Sequence, residues 1–340
     1  MKALVAVGDG TIRMEERPMP PPPQGSEVNI RVLAAGICGS DLHIWHCTNP
    51  FATYPRVMGH EIVGEITEIG ESAEGFHIGD RVIVNQLRAC GECYACRKGR
   101  PNVCRSLRVV GVHEDGGFRE YMQIPVANAI HLPDEISTFD AVMIEPMSIA
   151  VQGCWRASLA AEDTLLILGA GALGISLLRV ARLTGAVIIV ADMLDEKLEA
   201  ARREGADFVV NTRSENLEAA LSRLTDGYGP TAAIDAACFP GSLASLVKVI
   251  GNAGRIVTMN FSDAPESIAP IQITGREIDL RGSRLQSNKF PEVIRLIHQG
   301  RLSVSNMISH TFPFSNGIEA MQLAAQGRGD VHKIVLDMMQ

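Results

Sequence analysis

Residues 164–174 read Thr-Leu-Leu-Ile-Leu-Gly-Ala-Gly-Ala-Leu-Gly, and this stretch decides the fold. Thr164–Leu168 carries no charge and suits a strand buried on both faces. The turn Gly169-Ala170-Gly171-Ala172-Leu173-Gly174 follows it and opens a helix predicted over 172–183. A second strand, predicted over 186–191, runs into Asp192, eighteen residues after Gly174. Three glycines in a turn are a weak signal alone. In the order strand, turn, helix, strand and terminal acid they form a dinucleotide-binding pattern. Gly169 makes the tight turn, Gly171 lets the backbone approach a pyrophosphate, and Gly174 lets the helix pack closely. Ala172 and Leu173 begin the helix, whose N–H groups and partial positive charge face the phosphates. Asp192 can accept both ribose hydroxyls and would repel a 2′-phosphate, and Met193 after it offers no cation. The expected cofactor is therefore NAD rather than NADP.

The pattern extends downstream. Strands are predicted at 208–210, 232–235, 255–259 and 278–282, with a helix at 195–204 and helical patterns mostly between the others. Such alternation argues for a parallel sheet covered on both faces. Upstream, the first 150 residues read instead as short strands, at 2–7, 11–16, 27–35, 57–69, 81–85 and 118–126. Pro18 and Pro20–Pro23 read as a stiff loop between two of them. After residue 285 come a helix at 291–299 and a strand at 333–336. A length of 340 residues fits two domains, and 46% apolar with 21% charged residues excludes wholesale disorder. A net charge of −8 opposes a nucleic-acid partner. No run is long and apolar enough for a membrane span, and Ala3–Val7 is too short for a signal-peptide core. The chain is expected to be cytoplasmic and complete.

Four of the eight cysteines, Cys90, Cys93, Cys96 and Cys104, fall within fifteen residues. Their spacing suits one tetrahedral zinc site, and a set of four thiolates leaves no open position, so this metal is expected to be structural. Two disulfides are disfavoured without a secretory signal, and no second cysteine group supports an iron–sulfur cluster. A dispersed set, Cys38, His60, Glu61 and Glu145, has the right donors for a catalytic zinc with an open position. Spacing alone leaves that set undecided.

The residues GICGSDLH (36–43), GHEIVGEITEIG (59–70), GDRV (79–82), the cysteine lobe, EPMSIA (145–150) and GAGALG (169–174) resemble the zinc-dependent medium-chain alcohol and polyol dehydrogenases. The resemblance spans essentially the whole chain. It implies an α/β protein with a GroES-like β-rich catalytic domain and a Rossmann doubly wound parallel sheet domain. The catalytic domain would take 1–147, with the zinc lobe at 88–106, and 286–340; the Rossmann domain would take 148–285. It implies two zinc ions per chain, NAD, a homodimer or homotetramer, and reaction at a secondary alcohol in the cleft between the domains. Cys38 and His60 become ligands of the catalytic zinc, with Glu61 and Glu145 sharing the remaining duty in an order left open. Ser40 matches the hydroxyl that contacts the substrate oxygen, His43 the onward proton relay, and Lys197 a basic partner for the adenosine ribose. Histidines 46, 77, 131, 298, 310 and 332 match no ligand position and read as surface or packing residues, and Cys47, Cys154 and Cys238 as small interior residues.

Within the family, PFATYPRVMGHE (50–61), GRPNVC (99–104), GVHEDGGFREY (111–121), IDAAC (234–238) and GSRLQSNKFPEV (282–293) look like the bacterial hexonate 5-dehydrogenases. These include starvation-sensing-type dehydrogenases and the L-gulonate, L-galactonate and L-idonate enzymes. A sugar acid needs a cation for its carboxylate. Arg284 and Lys289 are the first candidates, with His113 and Arg119 flanking a glycine turn. A neutral polyol is the alternative substrate.

The ribose argument yields a first expected outcome. The wild-type protein should prefer NAD to NADP, and Asp192→Ala should narrow that preference, measured as kcat/KM for each cofactor with one alcohol. Equal use of both cofactors by the wild type would show the argument to be wrong.

Overall fold

The computed structural model describes residues 1–327, 329 and 331–340. The chain divides into two compact units. One comprises Met1–Glu145, Phe290–Gly300 and Val304–Gln340, and the other Pro146–Lys289 with Arg301–Ser303.

The second unit bears out the reading of 164–174. Among the described residues, its sheet has six strands in the order Phe208–Asn211, Val187–Asp192, Thr164–Leu168, Ala232–Asp235, Arg255–Thr258, Asp279–Gly282. All neighbours are parallel. That is the doubly wound order, in which the chain starts at the centre and reverses direction beside the first strand. Leu165, Leu166, Ile167, Ile188, Ile189, Val190, Ala233 and Ile234 have no solvent exposure, as expected of strands covered on both sides. The helix after the glycine turn spans Ala172–Ala181, shorter than its apolar pattern suggests. A tight turn at Arg182–Thr184 and left-handed Gly185 (φ 83°) end it.

The first unit is β-rich. Its larger sheet runs Ala129–His131, Arg81–Val84, Glu61–Ile69, Glu27–Ile37, Ile334–Asp337, His310–Pro313, with Tyr121–Pro125 also paired to Glu27–Ile37. Strand Ile334–Asp337 lies antiparallel to Glu27–Ile37, so the C-terminal strand joins the sheet built by the first half of this unit. A smaller sheet joins Ile12–Glu16, Lys2–Ala6 and Arg56–Val57. The single strand predicted over 57–69 is thus two, Arg56–Val57 and Glu61–Ile69, in different sheets. Gly59, at φ +92°, breaks it: its backbone turns where a β-branched residue would be strained. Short helices at Gly39–Trp45, Tyr94–Arg97 and Thr138–Val142 lie in segments whose sequence shows no periodicity long enough to reveal them. No helix among the described residues is long and apolar enough to cross a membrane.

Of the three cysteines expected inside, Cys154 is buried, Cys238 is half-buried, and Cys47 is exposed. Cys47 follows the end of helix Gly39–Trp45 in the left-handed region (φ 57°), which carries it onto the surface loop.

Candidate functional site

Strand Glu27–Ile37 ends at Cys38, which begins helix Gly39–Trp45 and donates its N–H to Asp41 Oδ2 at 2.9 Å. Asp41 is fully buried. Its other oxygen accepts the Gly59 N–H at 3.1 Å and stands 3.5 Å from His60 Nδ1. One carboxylate therefore ties together the two segments that carry Cys38 and His60. The Nδ1 contact lacks the alignment of a hydrogen bond and is electrostatic. Burial opposes a charge on His60, but Asp41 outweighs it and holds the imidazole well above its ordinary range. A ring so supported is a more basic donor at Nε2. That Nε2 lies 3.3 Å from Ser40 Oγ.

Glu61 opens its strand beside His60 and is buried. Lys333, also buried, donates to Glu61 Oε1 at 2.6 Å and Oε2 at 2.8 Å, and to the Ile37 carbonyl at 3.3 Å. Burial opposes the ammonium charge, but the Glu61 carboxylate outweighs it and raises the Lys333 pKa. Donor atoms of Cys38, His60 and Glu61 lie within 4.8 Å of one another. A thiol, an imidazole and a carboxylate so grouped are the donors of an open zinc site, with three protein ligands and a fourth position left for another group. Glu145 is buried beside them but outside this tight group. Its carboxyl is pushed up to about 7 by burial, against His60, with Glu61 adding, against Lys333, and with Asp41 adding. The Gln86 amide Nε2 donates to Glu145 Oε1. His43 lies exposed on the same short helix as Ser40, its Nδ1 2.9 Å from Thr48 Oγ1.

The cysteine lobe forms a second donor group. Cys93 Sγ lies 3.5 Å from Cys96 Sγ and 3.9 Å from Cys104 Sγ, and Cys104 Sγ lies 3.5 Å from Cys90 Sγ. Zinc–thiolate bonds of about 2.3 Å in a tetrahedron require sulfur–sulfur edges of about 3.8 Å. The four thiols match that geometry. The Cys90 N–H points at Cys104 Sγ and, with Ser106, lowers that thiol to about 6, favouring the thiolate a metal needs.

In the second unit, Gly169 and Gly171 lie in the turn between strand Thr164–Leu168 and helix Ala172–Ala181, and Ala172, Leu173 and Gly174 start the helix. A Cβ on Gly174 would strike the Gly169 carbonyl, so only glycine permits this approach. Asp192 ends its strand and is half-buried. Its Oδ2 accepts the Ala170 N–H at 2.8 Å, and its Oδ1 accepts Met193 N–H at 2.7 Å and Leu194 N–H at 3.1 Å. The glycine turn and the acid are thus one hydrogen-bonded assembly. Lys197 sits half-buried on the following helix, Asp195–Arg203. Arg284 places its guanidinium 5.0 Å from the Phe261 ring centre, and Lys289 its ammonium 5.0 Å from that of Trp155. In the first unit, the His113 ring accepts the Val109 N–H at 3.1 Å and packs near Phe51, and Arg119 turns toward the Asp115 carbonyl.

Sequence reasoning did not assign Asp41, Lys333 or Gln86. Asp41 stands inside a quoted motif, and a carboxylate between two donors was a usable signal. Lys333 and Gln86 carry none, since their partners lie 272 and 59 residues away.

Comparison with known proteins agrees with this geometry. Residues 24–134 match the alcohol dehydrogenase GroES-like domain, and residues 172–299 match the zinc-binding dehydrogenase domain. The chain is 41% identical over 338 residues, 99% of each protein, to the starvation-sensing protein RspB of Escherichia coli. It is 32% identical over 303 residues, 89% of each, to the L-galactonate-5-dehydrogenase of the same species. A solved structure of the rspB protein from E. coli CFT073, described as a short chain alcohol dehydrogenase complexed with NADH, superposes with a TM-score of 0.94 at 39% identity, covering 99% of each chain.

Two outcomes follow from the geometry. Lys333→Ala leaves Glu61 buried without its cation and should destabilise the protein by about 3–5 kcal/mol, read from the shift of the urea unfolding midpoint. A midpoint within error of wild type would mean the pair is not coupled to folding. The two donor groups should also fail differently. Cys93→Ser should reduce the yield of folded protein, whereas His60→Ala should leave a folded chain with one zinc fewer by elemental analysis. Equal loss of fold in both variants would mean the sites are misassigned.

Proposed function

The chain belongs to the zinc-binding medium-chain dehydrogenases, and we propose that it uses NAD to oxidise a secondary hydroxyl of a hexonate, or catalyses the reverse reduction. The observation that carries the dehydrogenase reading is the convergence of Cys38, His60 and Glu61 donors within 4.8 Å, with Ser40 Oγ 3.3 Å from His60 Nε2. Bound there, zinc would supply a Lewis acid that lowers the alcohol's pKa, and NAD would supply the hydride acceptor.

The chain's own residues do the rest. Cys38, His60 and Glu61 hold the ion, with Glu145 as the nearby carboxylate. Asp41 keeps His60 basic and in place. Ser40 receives the hydroxyl proton of the substrate, and His43 passes it outward. Lys333 holds Glu61 through both carboxylate oxygens. Cys90, Cys93, Cys96 and Cys104 hold a structural zinc. On the cofactor side, the Gly169–Gly174 turn takes the pyrophosphate, and Asp192 and Lys197 take the adenosine ribose. The Asp192 charge and the NADH complex of the superposed relative both favour NAD.

The sugar-acid reading is supported by the L-galactonate-5-dehydrogenase relative and by Arg284, whose planar fork can grip a carboxylate. Desolvation already weighs on this guanidinium, lowering its pKa, so an anion would be a favourable partner. L-Gulonate is the first substrate to test, then L-galactonate and L-idonate, followed by neutral polyols, all with NAD at the nicotinamide absorbance. Arg284→Ala should cost about 2–4 kcal/mol in kcat/KM on hexonates, roughly 30- to 1000-fold, and far less on polyols. Polyols outperforming every hexonate on the wild type, or equal losses on both, would leave the polyol reading standing.

A further inference from the structure

We propose that Gln86 is the positioning residue for Glu145, and that it anchors this carboxylate to the base of the four-cysteine lobe. The inference rests on the reading of Cys38, His60 and the two glutamates as a catalytic metal site. Gln86 has no solvent exposure and sits between strand Arg81–Val84 and strand Leu87–Arg88. The latter pairs with Arg108–Val109, and these two strands close the lobe containing Cys90, Cys93, Cys96 and Cys104.

The backbone around Gln86 is held by three hydrogen bonds to consecutive carbonyls. Buried Asn128 donates its side-chain amide to the carbonyls on either side, Asn85 at 2.6 Å and Leu87 at 2.9 Å. The Gln86 carbonyl itself accepts the Val110 N–H at 2.9 Å. So rigid a backbone leaves the side chain few places to go, and its Nε2 donates to Glu145 Oε1.

The other end of the amide is not used in the same way. Gln86 Oε1 is buried with no hydrogen-bond partner among the described residues. An unsatisfied buried acceptor is costly, and an apolar side chain of similar volume would avoid the cost. What an apolar residue would lose is the donor to Glu145. Outer partners of this kind orient metal-site carboxylates, and their removal costs typically 10–100-fold in metal affinity or activity.

The test is a double-mutant cycle on the full-length, zinc-loaded protein, comparing wild type, Gln86→Met, Glu145→Ala and the double variant. The readouts are the zinc affinity of the catalytic site, from competition with a chelator, and the visible spectrum after cobalt replacement. Gln86→Met should weaken the catalytic ion's affinity roughly 10–100-fold and shift the cobalt bands. In the Glu145→Ala background the same change should move affinity less than about twofold, because a residue acting through Glu145 has nothing left to position. Equal effects in both backgrounds, or none in the wild-type background, would overturn the inference. A wild-type protein that binds zinc only in its cysteine lobe would overturn the catalytic reading, and the inference with it, before any variant is made. If Gln86→Met does not fold, Gln86→Asn, which keeps the amide but withdraws it by one methylene, takes its place in the same cycle.

Discussion

The first unit depends on the buried ion pair between Glu61 and Lys333. Taking a carboxylate out of water is costly unless a partner charge goes with it. The Lys333 ammonium is that partner, with contacts at 2.6 and 2.8 Å to the two oxygens. Glu61 and Lys333 lie 272 residues apart, so the pair can form only if the C-terminal part of the chain returns to the sheet that contains strand Glu61–Ile69. Strand Ile334–Asp337, antiparallel to Glu27–Ile37, provides that return. Charge compensation at the site and closure of the unit are therefore the same event.

Asp41 and Glu145 meet the same constraint by other means. Asp41 spends its oxygens on backbone N–H groups of Cys38 and Gly59 and on the electrostatic contact with His60. It needs no full cation, because several donors share its charge. Burial pushes the Glu145 carboxyl up to about 7, with His60 and Lys333 opposing and Glu61 and Asp41 adding, and the Gln86 amide donates to it. Three carboxylates in one neighbourhood are thus held by different partners: Glu61 by an ammonium, Asp41 by backbone N–H groups, and Glu145 by the Gln86 amide among others.

How much of this was legible depended on how local each interaction is. The second unit's sheet could be read from 164–174 because strand, turn and helix are contiguous and their apolar pattern needs no distant partner. The cysteine lobe was legible for the same reason: its four thiols lie within fifteen residues, and their observed spacing is that of a tetrahedron. Cys38, His60 and Glu61 were legible as donor types, but only family resemblance joined them, since their meeting depends on a strand break at Gly59 that reads as one continuous strand. Lys333 reads as the start of a strand, and Gln86 falls just past the strand predicted over 81–85. Nothing local distinguishes a lysine that will be buried against Glu61 from one that will face solvent.

The two units also differ in what a single substitution can disturb. At the glycine turn, Asp192 accepts three backbone N–H groups, from Ala170, Met193 and Leu194, so an altered acid would change the turn itself. Around His60 the supports come from separate segments, with Asp41, Gln86 and Lys333 each on a different stretch of chain. The glycine turn and its acid are therefore built from one short region, whereas the Cys38, His60 and Glu61 group is assembled from distant ones. A change in one of its supports, Lys333 above all, also reaches the sheet that closes the unit.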